Sequence, residues 1–141
     1  MAESLDAAID FARQRHQGVL VTQKRDGRPQ LSNIGYAIGS DGVVRISVTA
    51  DRAKTKNLAR DPRCSLYVGR DDFWAYCVLD GAAELTPVAS APGDPTCEAL
   101  VDLYRSLQGE HPDWDDYRAA MVRDARLVVR FHPEHAYGMG L

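Results

Sequence analysis

The sequence predicts a mainly β protein, an antiparallel barrel with a few inserted helices, and three observations carry that expectation. About six runs have strand-like alternation or β-rich composition, tight turns such as Asp26-Gly27 and Asp41-Gly42 join most of them, and helical periodicity appears at few places. Closing such a sheet removes its exposed edges.

Ser4 is placed to cap a first helix, with Leu5, Ala8, Ile9 and Ala12 at the spacing of one buried face and an end near Gln17-Gly18. Runs at 19–24 and 30–38 flank the Asp-Gly hairpin, and a third strand at 43–49 follows Ser40-Asp41-Gly42, which together read as a three-stranded meander. Asp51 is the expected cap of a helix to about Arg60, ended by Asp61-Pro62. Two further strands, 64–69 and 74–86, are separated by Arg70-Asp71-Asp72, and Gly81 inside the second marks a bulge or bend. Residues 87–95, rich in Pro and Gly, form a loop. Thr96 is the expected cap of a helix carrying Leu100, Leu103, Tyr104 and Leu107, with Gly109 as its stop. A short helix over 113–122 has acidic residues in its first turn, so Trp114-Asp115-Asp116-Tyr117 reads as a capped turn rather than a catalytic carboxylate pair. A last strand at 127–131 precedes an irregular tail, 133–141.

The helix after Asp51 is electrostatically odd. A helix N-terminus carries unpaired N–H groups and partial positive charge, yet Arg52, Lys54 and Lys56 crowd it, each at a cost of some tenths of a kcal/mol to about 1 unless an anion sits there. With the Thr55 hydroxyl and Asn57 amide the cluster reads as a phosphate or carboxylate site at the end of a strand. The alternative is a solvated basic surface helix whose true start lies a residue or two away.

Length and composition narrow the rest. The 141 residues fit one domain, and 45% hydrophobic with 26% charged residues is the balance of an ordinary globular protein. A net charge of -3 argues against nonspecific nucleic-acid binding, so an anion site must be local. No apolar run approaches the ~20 residues of a membrane span and no leader pattern opens the chain, which predicts a cytoplasmic protein. Cys64, Cys77 and Cys97 form no CxxC pair, and buried free thiols are expected.

Hydrolase, phosphate-loop and dinucleotide fingerprints are absent. His132 and His135 bracket Pro133, a poor metal-ligand arrangement that reads as a turn at the end of the last strand, and no metal is expected. Trp74 and Tyr76 alternate onto one strand face and either line a planar ligand or fill the core. Gln30, Ser32 and Asn33 either meet a polar ligand or face solvent on an edge strand. An anion site with no evident acid, base or nucleophile fits an enzyme whose cofactor carries the reaction, and equally a binding protein.

Three runs carry a resemblance: Asp26 to Asn33, Arg52 to Leu58 with Asp61-Pro62-Arg63, and Gly109-Glu110-His111 to Arg118 with Met121-Val122. Across essentially the whole chain they resemble the flavin/deazaflavin oxidoreductases of the pyridoxamine-phosphate-oxidase-like superfamily, nearest its actinobacterial group using coenzyme F420. The resemblance implies a split β-barrel, a homodimer and two cofactors in grooves between the subunits. It implies that Arg52, Lys54, Thr55 and Asn57 hold the cofactor phosphate, that Gln30, Asn33, Ser47 and Val48 lie along the deazaflavin, and that Trp74 and Tyr76 close the groove from the second subunit. The Arg-x-x-Leu-Leu-Lys pattern of true pyridoxamine phosphate oxidases is missing, which argues against that vitamin B6 activity.

The implied reaction is hydride transfer from reduced F420 to an electron-poor conjugated small molecule, with water or a tyrosine, Tyr137 or Tyr36, returning a proton. Two alternatives stay open: an FMN-dependent oxidoreductase of the same fold, and a carrier that holds F420 without turnover.

Overall fold

The alternating runs become strands of one sheet in the computed structural model, which describes residues 4–141. In chain order the elements are α1 (Leu5–Arg13), β1 (Gln17–Gln23), β2 (Pro29–Gly35), β3 (Ala37–Ile38), β4 (Val44–Thr49), α2 (Ala53–Arg60), β5 (Arg63–Gly69), β6 (Tyr76–Leu85), α3 (Pro95–Gln108), α4 (Trp114–Arg123) and β7 (Arg126–Met139). The seven strands order as β2-β1-β5-β6-β7-β4-β3, and every neighbouring pair is antiparallel. This curled half-barrel with four helices is the split-barrel fold that the sequence predicts.

The run at 30–38 is one strand that changes partner. Its first part pairs with β1 and its last two residues pair with β4, at the opposite edge of the sheet, so the expected meander is instead a corner. Tyr36 sits at that corner, fully buried, and its hydroxyl donates to the Ala12 carbonyl of α1 at 2.7 Å. The fold therefore uses this tyrosine to tie α1 to the place where the two sheet edges meet.

The inner face of the curl holds the main core. Leu20, Val44, Ile46, Val48, Leu66, Val68, Leu79, Val129 and Phe131 meet Ala8 and Ala12 of α1 and Leu58 of α2 there. Each large aliphatic or aromatic side chain so buried contributes roughly 1.5–3 kcal/mol. A smaller cluster, Ala89, Cys97, Leu100 and Val128, lies beneath α3, with Tyr117 and Met121 of α4 packed against it. All three cysteines are free and buried, and burial pushes the Cys64 and Cys77 thiols up to about 12 and about 11. Among the described residues no helix is long and apolar enough to cross a membrane.

Several boundaries differ from the sequence reading. α1 is capped by Ser4 as expected, its hydroxyl accepting from the Ala7 N–H at 3.1 Å, but ends at Arg13 because Gln17 already pairs in β1. α3 is capped by Asp94, whose carboxylate accepts the N–H groups of Cys97, Ser90 and Ala91. Pro95 follows at the first helical position, where its missing N–H costs nothing, and the expected cap Thr96 is buried, donating to the Pro87 carbonyl. Trp74 lies in the turn before β6 and is 75% exposed, neither on the strand nor in the core.

The expected irregular tail is the second half of β7, which pairs with β6 as far as Met139. Pro133 has no N–H for a ladder, but it sits where the register shifts: His135 faces Asp80, Pro133 faces Gly81, and Glu134 is the extra residue. The expected bulge at Gly81 is there. His132 and His135 are thus strand residues, not a turn, and His132 Nε2 lies 2.6 Å from Glu84 Oε1.

A Cβ on Gly81 would lie 2.0 Å from the His132 carbonyl oxygen, so the bulge admits no side chain without moving the β6–β7 pair. Gly81→Ala is expected to lower unfolding free energy by about 1–3 kcal/mol or more, read as a reduced urea midpoint.

Candidate anion-binding site

The α2 N-terminus is built as a loop that turns sharply off the end of β4. Arg52 occupies the cap position and no side chain caps the helix. The expected cap, Asp51, instead accepts from the Thr49 hydroxyl at 2.8 Å, an interaction that holds its carboxyl below the usual range. The first N–H groups of α2 therefore lack the side-chain oxygen that usually meets them.

Opposite this terminus, β4–β7 pairing sets Arg126 beside Thr49, and the Ala50 N–H donates to the Ala125 carbonyl at 3.0 Å. The two loops, Thr49–Ala53 and Arg123–Ala125, enclose a cleft of about 820 Å³. Arg126 donates through Nη1 to the Ser47 carbonyl and hydroxyl at 3.4 and 3.3 Å, and its buried Nε has no partner.

Three cations thus converge, and Asp51 and Asp124 line the cleft beside them, Asp51 within Coulombic reach of Arg52. Among the described residues none of Arg52, Lys54 and Arg126 is in an ion pair. Burial holds the Lys54 ammonium below its ordinary pKa, and the charges of Arg52 and Arg126 lower it further. A bound anion would offset the mutual repulsion of these charges and favour the charged Lys54.

The other residues of interest are distributed over three places. Ser47 stands at the cleft side of β4, whereas the Val48 side chain is 1% exposed in the core, leaving only its backbone to face a ligand. The Thr55 hydroxyl donates to the Thr49 carbonyl at 2.7 Å, fastening the loop. Asn57 is buried, donating to Thr22 Oγ1 at 3.1 Å and accepting from Arg60; Thr22 in turn donates to Gln30 Oε1. Gln30 therefore belongs to a polar net between α2 and the first hairpin, and Asn33 lies on the opposite face of β2.

Asn33 lines a separate groove of about 590 Å³ on the outer face of the sheet. Tyr76 stacks on Tyr67 near it, ring centroids 5.6 Å apart. Tyr137 is 53% exposed on that outer face, while the Tyr36 hydroxyl is buried, engaged with Ala12 and pushed well above the usual phenol range by burial and by Cys77. One chain does not bring all the candidate residues together.

Arg126 escaped sequence reasoning because nothing local marks it. It is one arginine at the start of a strand, and only the pairing with β4 brings it to the cleft.

Known proteins agree with this architecture. A conserved hypothetical protein from Mycobacterium tuberculosis superposes with a TM-score of 0.75 at 25% identity, covering 99% of this chain and 86% of that one. An F420 reductase superposes with a TM-score of 0.68 at 22% identity, covering 96% and 98%. A FAD-binding protein from Mesorhizobium loti gives 0.68 at 18% identity, covering 98% and 93%. Residues 5–140, nearly the whole chain, match the family described as pyridoxamine 5'-phosphate oxidase, and the protein belongs to that family, within the flavin/deazaflavin oxidoreductase-like superfamily.

Proposed function

We propose that the protein is an F420H2-dependent reductase of electron-poor conjugated small molecules. The observation that carries this reading is the convergence of Arg52, Lys54 and Arg126 on a helix N-terminus that no side chain caps, with none of the three in an ion pair among the described residues. That donor set fits a phosphate: two cationic side chains at the helix start, free N–H groups between them, and a cleft larger than the anion alone requires. The similarity to an F420 reductase adds support for a deazaflavin as the cofactor.

In this reading Arg52 and Lys54 hold the cofactor phosphate, Thr55 fixes the loop that presents them, and Asn57 anchors α2 on β1 through Thr22. When bound, reduced F420 supplies a hydride to the acceptor, so that one carbon gains hydride, its conjugated neighbour gains a proton, and oxidised F420 is left. Tyr137 or water donates that proton, because the Tyr36 proton is already committed to Ala12. The separation of Asn33, Trp74 and Tyr76 from the cation cluster favours a homodimer in which a second copy completes each site. The exposed apolar residues Leu31, Tyr137 and Met139 supply the face for it.

Equilibrium binding followed by cofactor fluorescence tests the assignment. F420 is expected to bind more tightly than FMN, and Lys54→Ala and Arg52→Ala are each expected to weaken it by more than about 1.5 kcal/mol. Tighter FMN binding supports the flavin enzyme, and no binding of either overturns both. Turnover of a quinone or unsaturated lactone panel separates a reductase from a carrier.

Lys54 gives a pH signature. Its pKa is lowered in the free protein and rises again beside a bound phosphate, so the favourable contact is present while Lys54 is protonated and fades as pH climbs through the bound-state value. Calorimetry in buffers of different ionisation heat is expected to show proton uptake on cofactor binding at alkaline pH, lost in Lys54→Ala.

Met139→Asp, which places a charge on the proposed contact face, is expected to shift the molecular mass measured by light scattering from dimer to monomer. A wild-type monomer at micromolar concentration contradicts the shared site.

A further inference from the structure

The join between α3 and α4 is held by rings rather than by an aliphatic core. None of the ten residues of α4 is buried, and Tyr117, Met121 and Val122 pack only partly covered against the cluster beneath α3. Gly109, at φ 78, ends α3, and the short loop that follows brings His111 back onto both helices. There its imidazole meets Tyr104 of α3 and Trp114 and Tyr117 of α4, with ring centroids 5.1, 5.6 and 5.4 Å away.

The polar contacts of this cluster suit one protonation state. His111 Nδ1 accepts the Asp113 N–H at 2.9 Å, which requires the neutral ring with its proton on Nε2. Asp113 is the cap of α4, its carboxylate accepting the Asp116 N–H at 3.1 Å. The charged groups around the ring answer one another: Glu110 accepts from Trp114 Nε1 at 2.8 Å and pairs with Arg105 at 3.1 Å, and the Arg105 guanidinium lies over the Trp114 ring. The Tyr117 hydroxyl donates to the Leu100 carbonyl at 3.0 Å. Protonating His111 puts a hydrogen on Nδ1 that points at the Asp113 N–H, so two donors face each other and the first turn of α4 loses its tie. The surrounding rings can hold an imidazolium, yet the Asp113 N–H is still left without its acceptor.

The far end of α4 is a wall of the anion cleft. The chain leaves the helix through Ala125, at φ 52, a conformation that alanine adopts only at a cost. The Ala125 N–H donates to the Val122 carbonyl at 3.2 Å, and its carbonyl accepts the Ala50 N–H at 3.0 Å, just before the start of α2. Tyr117 provides a second link: burial pushes its phenol up to about 12, and the charge of Arg126 is near enough to oppose that rise. We infer that His111 is a positioning residue for the cleft: neutral, it seats α4 and so holds Ala125 against Ala50; protonated, it releases the first turn of α4 and loosens that wall. Its effect on cofactor affinity rests on the reductase reading; its effect on the cleft backbone does not.

Amide NMR of the protein without cofactor, followed between about pH 8 and about pH 5, tests it. The Asp113 and Ala50 amide signals are expected to shift together, with the midpoint shown by the His111 ring protons. In His111→Asn neither is expected to follow that transition, because an asparagine side-chain oxygen accepts the N–H two residues on and keeps the tie without titrating. A merely structural His111 would move Asp113 and leave Ala50 unchanged. F420 affinity is expected to fall by about fivefold or more over the same range in wild type relative to His111→Asn. His111→Ala, which offers no acceptor, is expected to bind F420 as weakly at the alkaline end as wild type does at the acid end. The proposal is overturned if Ala50 does not share the His111 midpoint, if it titrates alike in wild type and His111→Asn, or if F420 affinity follows pH identically in the two. An Ala50 transition lost in His111→Asn, with no binding of F420 at any pH, supports the positioning role and overturns the reductase reading instead.

Discussion

A strand that pairs with β1 along its first part and with β4 at its end obliges the sheet to curl back toward itself, and most of the architecture depends on that constraint. The corner residue, Tyr36, is buried with its hydroxyl bonded to α1, so the helix closes one end of the curl and the change of partner is fixed in place. An unpaired phenol there would cost roughly 1–3 kcal/mol, comparable with the net worth of several ordinary hydrogen bonds. Curling in turn separates an inner face, filled by aliphatic side chains, from an outer face that α3 and α4 cover over β3, β4 and β7.

The same curl positions the chemistry. α2 leaves the end of β4 by a loop fastened through the Thr55 hydroxyl, and β7 runs antiparallel beside β4, so Arg126 arrives where Arg52 and Lys54 already stand. Folding therefore concentrates like charge at the positive end of a helix, and the local conflict is tolerated because a large buried core and many ladder bonds outweigh some tenths of a kcal/mol per misplaced cation. Ion pairs elsewhere behave differently: Arg45 with Asp41, Arg63 with Asp61 and Arg118 with Glu98 are all satisfied close by. In the proposed function a cofactor phosphate would supply at α2 the balance that these carboxylates provide elsewhere.

The outer face follows the opposite logic. Leu31, Phe73, Trp74, Tyr137 and Met139 remain exposed on or beside strands whose inner faces are fully packed. In the proposed function these exposed apolar groups, spread from β2 to β7, belong to the face that meets a second copy. On that face Tyr67 stacks on Tyr76, and the Arg70–Asp72 pair clamps the turn at 70–74.

Local chemistry made much of this legible in advance. The Asp26-Gly27 hairpin, the Ser4 cap, the bulge at Gly81 and the inverted charge at Arg52 and Lys54 each depend on residues within a few positions, where turn and capping energetics act. The strand through Pro133 was not legible, because a proline is acceptable in a ladder only opposite a register shift, and the partner that provides it is in β6. For the same reason Arg126 and the corner at Tyr36 emerged only with the fold. The sequence by itself determined the turns, the periodic faces and the sign of the charge at α2, since these are short-range properties. Tertiary structure decided which strands pair, and therefore which distant side chains share a cleft, since pairing rewards the closure of long loops that no local segment can encode.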